Sequence, residues 1–111
     1  MAEYDLSGIN IPYNLDAEQS VLGAVLMSSD VMNDLVSVLQ PEYFYADINR
    51  NVFGVMLNMF LANDRIDIVT VLEATMRQGV FETVEQGKEY LTRIMQAVPS
   101  ISSVEKYAAI V

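Results

Sequence analysis

The chain has 111 residues, of which 52% are hydrophobic and 19% charged, a balance that fits one folded domain and excludes a disordered segment. It contains no histidine, cysteine or tryptophan, which excludes imidazole and thiolate metal ligands, disulfides, a cysteine nucleophile and Ser–His triads. Net charge is −9, and the six cations (Arg50, Arg65, Arg77, Lys88, Arg93, Lys106) are scattered, so phosphate neutralisation is poorly served and a protein partner is expected instead.

Residues 1–13 read as a flexible arm, punctuated by Gly8 and Pro12. "NLDAEQSVLGAVL" follows, with Asn14 or Asp16 as N-cap and acids in the first turn, where the helix dipole favours them. Its apolar arc of Ala17, Val21, Ala24, Val25, Leu22 and Leu26 is too wide for one neighbour, so burial on two sides is expected. Gly23 falls on the opposite face, where a close helix crossing would explain it.

"SSDVMNDLVSVL" gives a second helix, capped between Ser28 and Asp30, with Val31, Leu35, Val38 and Leu39 inward. Pro41 opens a short turn carrying Tyr43, Phe44 and Tyr45. Asp47 starts the longest helix, whose polar face is only Arg50, Asn51, Gly54 and Asn58; so apolar a helix is expected at the centre.

Asn63-Asp64 interrupts that helix, and Asp67 caps "IDIVTVLEATMRQG", with Ile68, Val69, Leu72 and Met76 as its stripe and Gly79 as its stop. The β-branched run from Ile66 to Val71 could form a strand, but the cap, the spacing and Gly79 favour a helix. Gly87 opens the next one, with Leu91, Ile94, Met95 and Val98 buried and Pro99 at its end. Finally Ser102 to Glu105 makes a capping box, after which Val104, Tyr107, Ala108 and Val111 share a stripe. Six or so short helices without a strand pair predict an all-α fold, a small orthogonal helical bundle with its globule over 14–99.

Chemistry is sparse along this frame. Asp16 with Glu18, and Asp64 with Asp67, are the candidate acid pairs, but each sits at a helix start, where carboxylates cap amides far more often than they catalyse. "GKE" at Gly87 to Glu89 lacks the upstream glycine and the following hydroxyl of a phosphate loop: Glu82 and Glu89 occupy those places and would repel a triphosphate. Met56, Met59, Met76 and Met95 lie on apolar stripes and are expected to fill the core. Tyr90 lies at the stripe margin, its ring half inward and its hydroxyl toward water. Core-edge packing is the commoner fate of such a tyrosine, and an interface anchor the sharper one.

The last helix makes only about two turns, too few to hold itself together in water. Its stripe needs this domain, sequence beyond Val111 or another copy. A continuation accounts best for the missing C-cap, so the chain is expected to be part of a longer protein.

"PYNLDAEQSVLGAVL", "LQPEYFYADINRNVFGVML", "RIDIVTV", "GKEYL" and "AVPSISSVEKYAAIV", in this order and spacing from Pro12 to Val111, resemble the N-terminal domain of the bacterial replicative DNA helicase family, DnaB. Departures are Asn49-Arg50 where the family often has His-Arg or His-Gln, "NDRID" at Asn63 to Asp67 in place of Gly-x-Pro-Ile-Asp, and Gln86-Gly87 for a frequent Gly-Gly. The resemblance implies a helical globule followed by a helical hairpin, of which 100–111 would be the first arm. Domains of this kind form a collar on a homohexamer and contribute to binding the C-terminal helicase-binding domain of primase. By the same resemblance this chain has no cofactor and is not itself an enzyme; ATP, Mg and DNA belong to a RecA-like domain downstream, and the location is bacterial cytoplasm with no membrane contact. Val104, Tyr107, Ala108 and Val111 are expected to face the second hairpin arm or another subunit, and Tyr90 and Arg93 to face a partner. A free-standing helical adaptor resembling the collar is the alternative.

Overall fold

The computed structural model describes residues 3–96 and 104–111, and among these every regular element is helical. The order is α1 (Glu3–Met27), α2 (Val31–Leu35), a 3₁₀ turn (Pro41–Tyr43), α3 (Asp47–Leu61), α4 (Ile68–Arg77), α5 (Val84–Gln96) and α6 (Val104–Ile110). The all-α expectation is met.

Two readings of the first helix are corrected. It starts at Glu3, so residues 3–13 are helical where an arm was expected, and Asn14 and Asp16 lie inside the helix rather than capping it. Pro12 forfeits the bond to the Gly8 carbonyl and its ring crowds that carbonyl, yet the helix runs on through it. From Val21 to Leu26 every residue is buried, Gly23 included. A helix apolar all round must be covered all round, and α1 packs against α2, α3, α5 and α6. The central helix is therefore α1, not α3.

Helix α2 is shorter than expected. The N–H groups of Val38 and Leu39 both reach the Leu35 carbonyl, at 3.0 and 2.9 Å, so the chain tightens into a turn that buries Leu39. Val38, expected inward, is swung out and is 57% exposed. Phe44 then enters the core and stacks on Phe53 at 4.9 Å.

Helix α3 buries Val52, Phe53, Val55, Met56 and Met59, while Leu61 in its last turn faces out. Asn63 takes the left-handed conformation (φ 62°), and the N–H groups of Asn63 and Asp64 close back on the Phe60 and Met59 carbonyls at 3.0 and 2.8 Å. Gly79 (φ 76°) ends α4 the same way, with Gly79 and Val80 donating to Met76 and Thr75. These paired bonds satisfy the last carbonyls of each helix.

Residues 68–77 form a helix and not a strand, as the cap predicts. Its buried face is rotated from the expected one: Val71, Ala74 and Thr75 are inside, Ile68, Leu72 and Met76 flank them, and Val69 is 72% exposed. The Thr75 hydroxyl can lie inward because it donates to the Val71 carbonyl at 2.8 Å.

Helix α5 begins at Val84, not at Gly87, with the Thr83 hydroxyl accepting the Gln86 N–H at 3.0 Å. Gly87 instead sits where α5 meets α4: a Cβ there would lie 2.7 Å from Leu72 Cδ1 and 3.0 Å from Phe81 Cδ2. Leu91 and Ile94 are inside as expected; Val98, Pro99 and the Ser102 capping box fall outside the described residues. Helix α6 lies on α1 and α2.

Candidate functional site: a buried polar clamp and an open groove

Glu18 projects from α1 into the core and is 1% exposed. Its carboxylate accepts the Tyr45 N–H at 2.5 Å, the Ala46 N–H at 3.4 Å and the Asn49 amide at 2.8 Å. Those groups lie at the N-terminus of α3, where Ala46 is the N-cap and offers no side-chain bond of its own. Glu18 thus caps a helix other than its own, and the α3 dipole favours the negative charge there. The reading of Glu18 as a first-turn cap of its own helix is corrected accordingly: Glu18 is buried at the start of α3, while Asp16 is exposed.

Asn49 is equally buried and passes the chain of bonds onward: its side-chain carbonyl accepts the Tyr90 hydroxyl. Every donor in this chain points toward Glu18, and no buried polar side-chain atom among the described residues lacks a partner. Burial holds the Tyr90 hydroxyl above its ordinary value of 10.0. The hydroxyl therefore faces inward, correcting the expectation that it points to water. The outer side of the ring carries the Arg93 guanidinium, 5.5 Å from its centre, and Arg93 itself is exposed. Tyr90 and Arg93 are brought together, one half in the core and the other on the surface.

The second candidate acid pair also proves to be a cap. Asp67 Oδ1 accepts the Thr70 N–H at 2.9 Å, and the Thr70 hydroxyl accepts the Asp67 N–H at 2.9 Å. That backbone bond, with Arg65 alongside at 2.9 Å, holds the Asp67 carboxyl below its ordinary value of 3.8. Asp64 is exposed. Among the described residues no three carboxylates converge as a metal site would require.

Of the α6 stripe, the side chain of Val104 lies outside the described residues, and Ala108 is placed differently from expectation. Ala108 is buried in this chain's own core, whereas Tyr107 and Val111 pack against it half-buried and keep part of their surface outward. Beside them lies an open groove of about 680 Å³, lined by Leu35, Val38, Leu39, Tyr43, Ala109 and Val111 among others. Sequence reading missed the groove, because it depends on Val38 turning outward. It also missed the clamp, although a signal was present. Glu18 stands three and four residues before Val21 and Leu22, and Asn49 three and four before Val52 and Phe53. Both polar residues thus fall on stripes that must be buried.

No helix among the described residues is long and apolar enough to cross a membrane.

Comparison with known proteins agrees with this geometry. The family described as DnaB-like helicase N terminal domain matches residues 10–111. Replicative DNA helicase DnaC of Bacillus subtilis is 34% identical over 100 residues, covering 90% of this chain and 22% of that protein. Replicative DNA helicase DnaB of Geobacillus stearothermophilus is 35% identical over 102 residues, again 90% of this chain and 22% of the relative. The chain therefore spans about a fifth of the length of these relatives. The crystal structure of the N-terminal domain of DnaB helicase from Mycobacterium tuberculosis superposes with a TM-score of 0.80 at 34% identity, over 86% of this chain and 69% of that one. A helical domain built around a buried α1, matched in sequence over nearly all its length and in fold by a solved member, belongs to the DnaB-like helicase N-terminal domain family.

Proposed function

We propose that this chain serves as the N-terminal domain of a bacterial replicative DNA helicase, an assembly and docking module without catalysis of its own. The match over residues 10–111, together with relatives that are replicative helicases, is the observation that carries this reading. In it, the domain helps assemble the homohexamer in the cytoplasm and binds the C-terminal helicase-binding domain of primase. ATP, Mg and DNA are handled by a RecA-like domain that follows.

The chain's own chemistry suits the role. A net charge of −9 with scattered cations gives a nucleic-acid phosphate little to hold. Tyr90 is fixed by its hydroxyl bond and carries Arg93 on its outer side, so the pair offers a rigid aromatic and a planar cation at the surface. A rigid anchor loses little side-chain freedom on binding. The half-exposed Tyr107 and Val111 of α6 are proposed to meet the second hairpin arm or another subunit, while the side chain of Val104 lies outside the described residues.

Titration of this chain with the C-terminal domain of primase, by calorimetry, tests the reading. Binding that weakens about tenfold in Arg93→Glu, with the melting temperature unchanged, supports it. ATP hydrolysis or duplex unwinding by the chain alone overturns it. So does a reading frame that lacks a GxxxxGK[ST] segment beyond Val111, which would leave the free-standing adaptor.

A further inference from the structure

Opposite in character to the clamp is the groove between α2, the turn after it and the end of α6. Leu35, Leu39 and Ala108 are its buried floor, while Val38 and Tyr43 stand on its rim, 57% and 52% exposed. Two large apolar side chains on the rim of an open cleft are surface that gains by being covered, at ~25 cal/mol per Å².

Charge decides what would cover it. Asp34 lines the groove, Asp30 lies one turn earlier on the same helical face, and Glu42 precedes Tyr43. Among the described residues no Lys or Arg lines it. The neighbouring amide of Asn33 and hydroxyl of Ser37 are engaged with the backbone carbonyls of Asp30 and Asp34, at 3.1 and 3.5 Å. What remains on offer is an aliphatic floor, carboxylates and the face of a tyrosine ring. Aliphatic side chains and cations are the complement of that set. A second copy of this chain is a poor occupant, since a groove-to-groove contact would set two acidic rims against each other in a molecule of charge −9.

We propose that this groove docks a cationic amphipathic helix of a partner protein, its aliphatic side chains over Leu39 and Val38 and a Lys or Arg shared by the Tyr43 ring and the Asp34 carboxylate. The surface is distinct from the Tyr90–Arg93 pair and stands whether or not that pair binds primase. Val38, Tyr43 and Asp34 are all exposed, so they can be changed without disturbing the core.

The test uses two synthetic helical peptides of the same Leu spacing, one with Lys and one with Glu at the polar positions, titrated into the isotope-labelled chain. The Lys peptide is expected to shift amides of residues 34–43 and 108–111. Its affinity should fall about tenfold in Val38→Ser and again in Asp34→Lys, and should weaken with added salt. The Glu85→Lys variant, on α5, should leave it unchanged. Equal binding of the Glu peptide overturns the proposal. So do shifts spread over Glu85 and Glu89 on α5, or self-association of the chain through the groove in the absence of peptide.

Discussion

Two helices of this domain begin with a carboxylate cap, and the two caps are built in opposite ways. At α4 the cap is local: Asp67 and Thr70 exchange bonds three residues apart, at the surface, with Arg65 beside them. At α3 it is tertiary: Glu18 comes from another helix, is buried, and satisfies the Tyr45 and Ala46 N–H groups and the Asn49 amide at once. Both satisfy orphan donors at a helix start. Only the second also fixes how three helices sit, because its chain of bonds runs from α1 through α3 to Tyr90 on α5. A local cap stabilises an element; a tertiary cap specifies an arrangement.

Breaking the tertiary cap should cost most. Glu18→Ala leaves two part-buried backbone N–H groups and the buried Asn49 amide without their acceptor, and is expected to lose ~3 kcal/mol in a denaturant melt. A loss no larger than that of an exposed substitution would mean the core lets water in to replace the carboxylate.

Tyr90→Phe cuts the far end of the same chain. It leaves the buried Asn49 carbonyl without its donor and should cost about 1–2 kcal/mol. It also carries a pH signature. Since the folded state holds the Tyr90 proton above 10.0, that stability is present below about pH 10 and is lost as pH climbs through the raised value. The melting temperature of the parent should fall there more steeply than that of Tyr90→Phe.

Asp67→Ala removes the local cap, and about 1 kcal/mol is expected. The sign of its pH dependence is opposite. The folded state holds the carboxyl below 3.8, so its contribution is present above that value and disappears as pH falls through the lowered one. An acid melt comparing the parent with Asp67→Ala reads the difference directly.

The smallest effect sharpens the comparison most. Glu18→Ala and Asp67→Ala, with no shared partner, should add within about 0.5 kcal/mol, whereas Glu18→Ala and Tyr90→Phe should fall short of their sum because both act on Asn49. Additivity in the second pair would show that the clamp is two separate contacts.

Some local signals in the sequence were dependable, though the Asn14 or Asp16 cap and the start at Gly87 were not. The Asp67 cap, the left-handed turns at Asn63 and Gly79 and the burial of Leu91 and Ile94 each depend on residues within a few positions of one another. Legibility failed where a residue's fate depends on something distant. Val69 and Val38 carry the same apolar signal as their buried neighbours, and only the rotation of α4 and the tightened turn after Leu35 put them outside. Pro12 read as punctuation, yet the helix runs through it. Tyr90 was placed correctly at the core edge, but the direction of its hydroxyl required knowing that Asn49 lies opposite.

The sequence by itself determined that the chain is helical, the Asp67 cap of α4 and the absence of imidazole and thiol chemistry, because periodicity, turn residues and composition act over a few residues. Its resemblance to a helicase domain family was legible as well, and the comparisons bear it out. Tertiary structure alone decided that Glu18 caps α3, that α1 is the central helix, that Ala108 of α6 enters the core and that Val38 and Tyr43 border a groove. The physical reason is common to all four. A helix fixes which side chains share a face, whereas the partner of that face is settled only by how the helices pack.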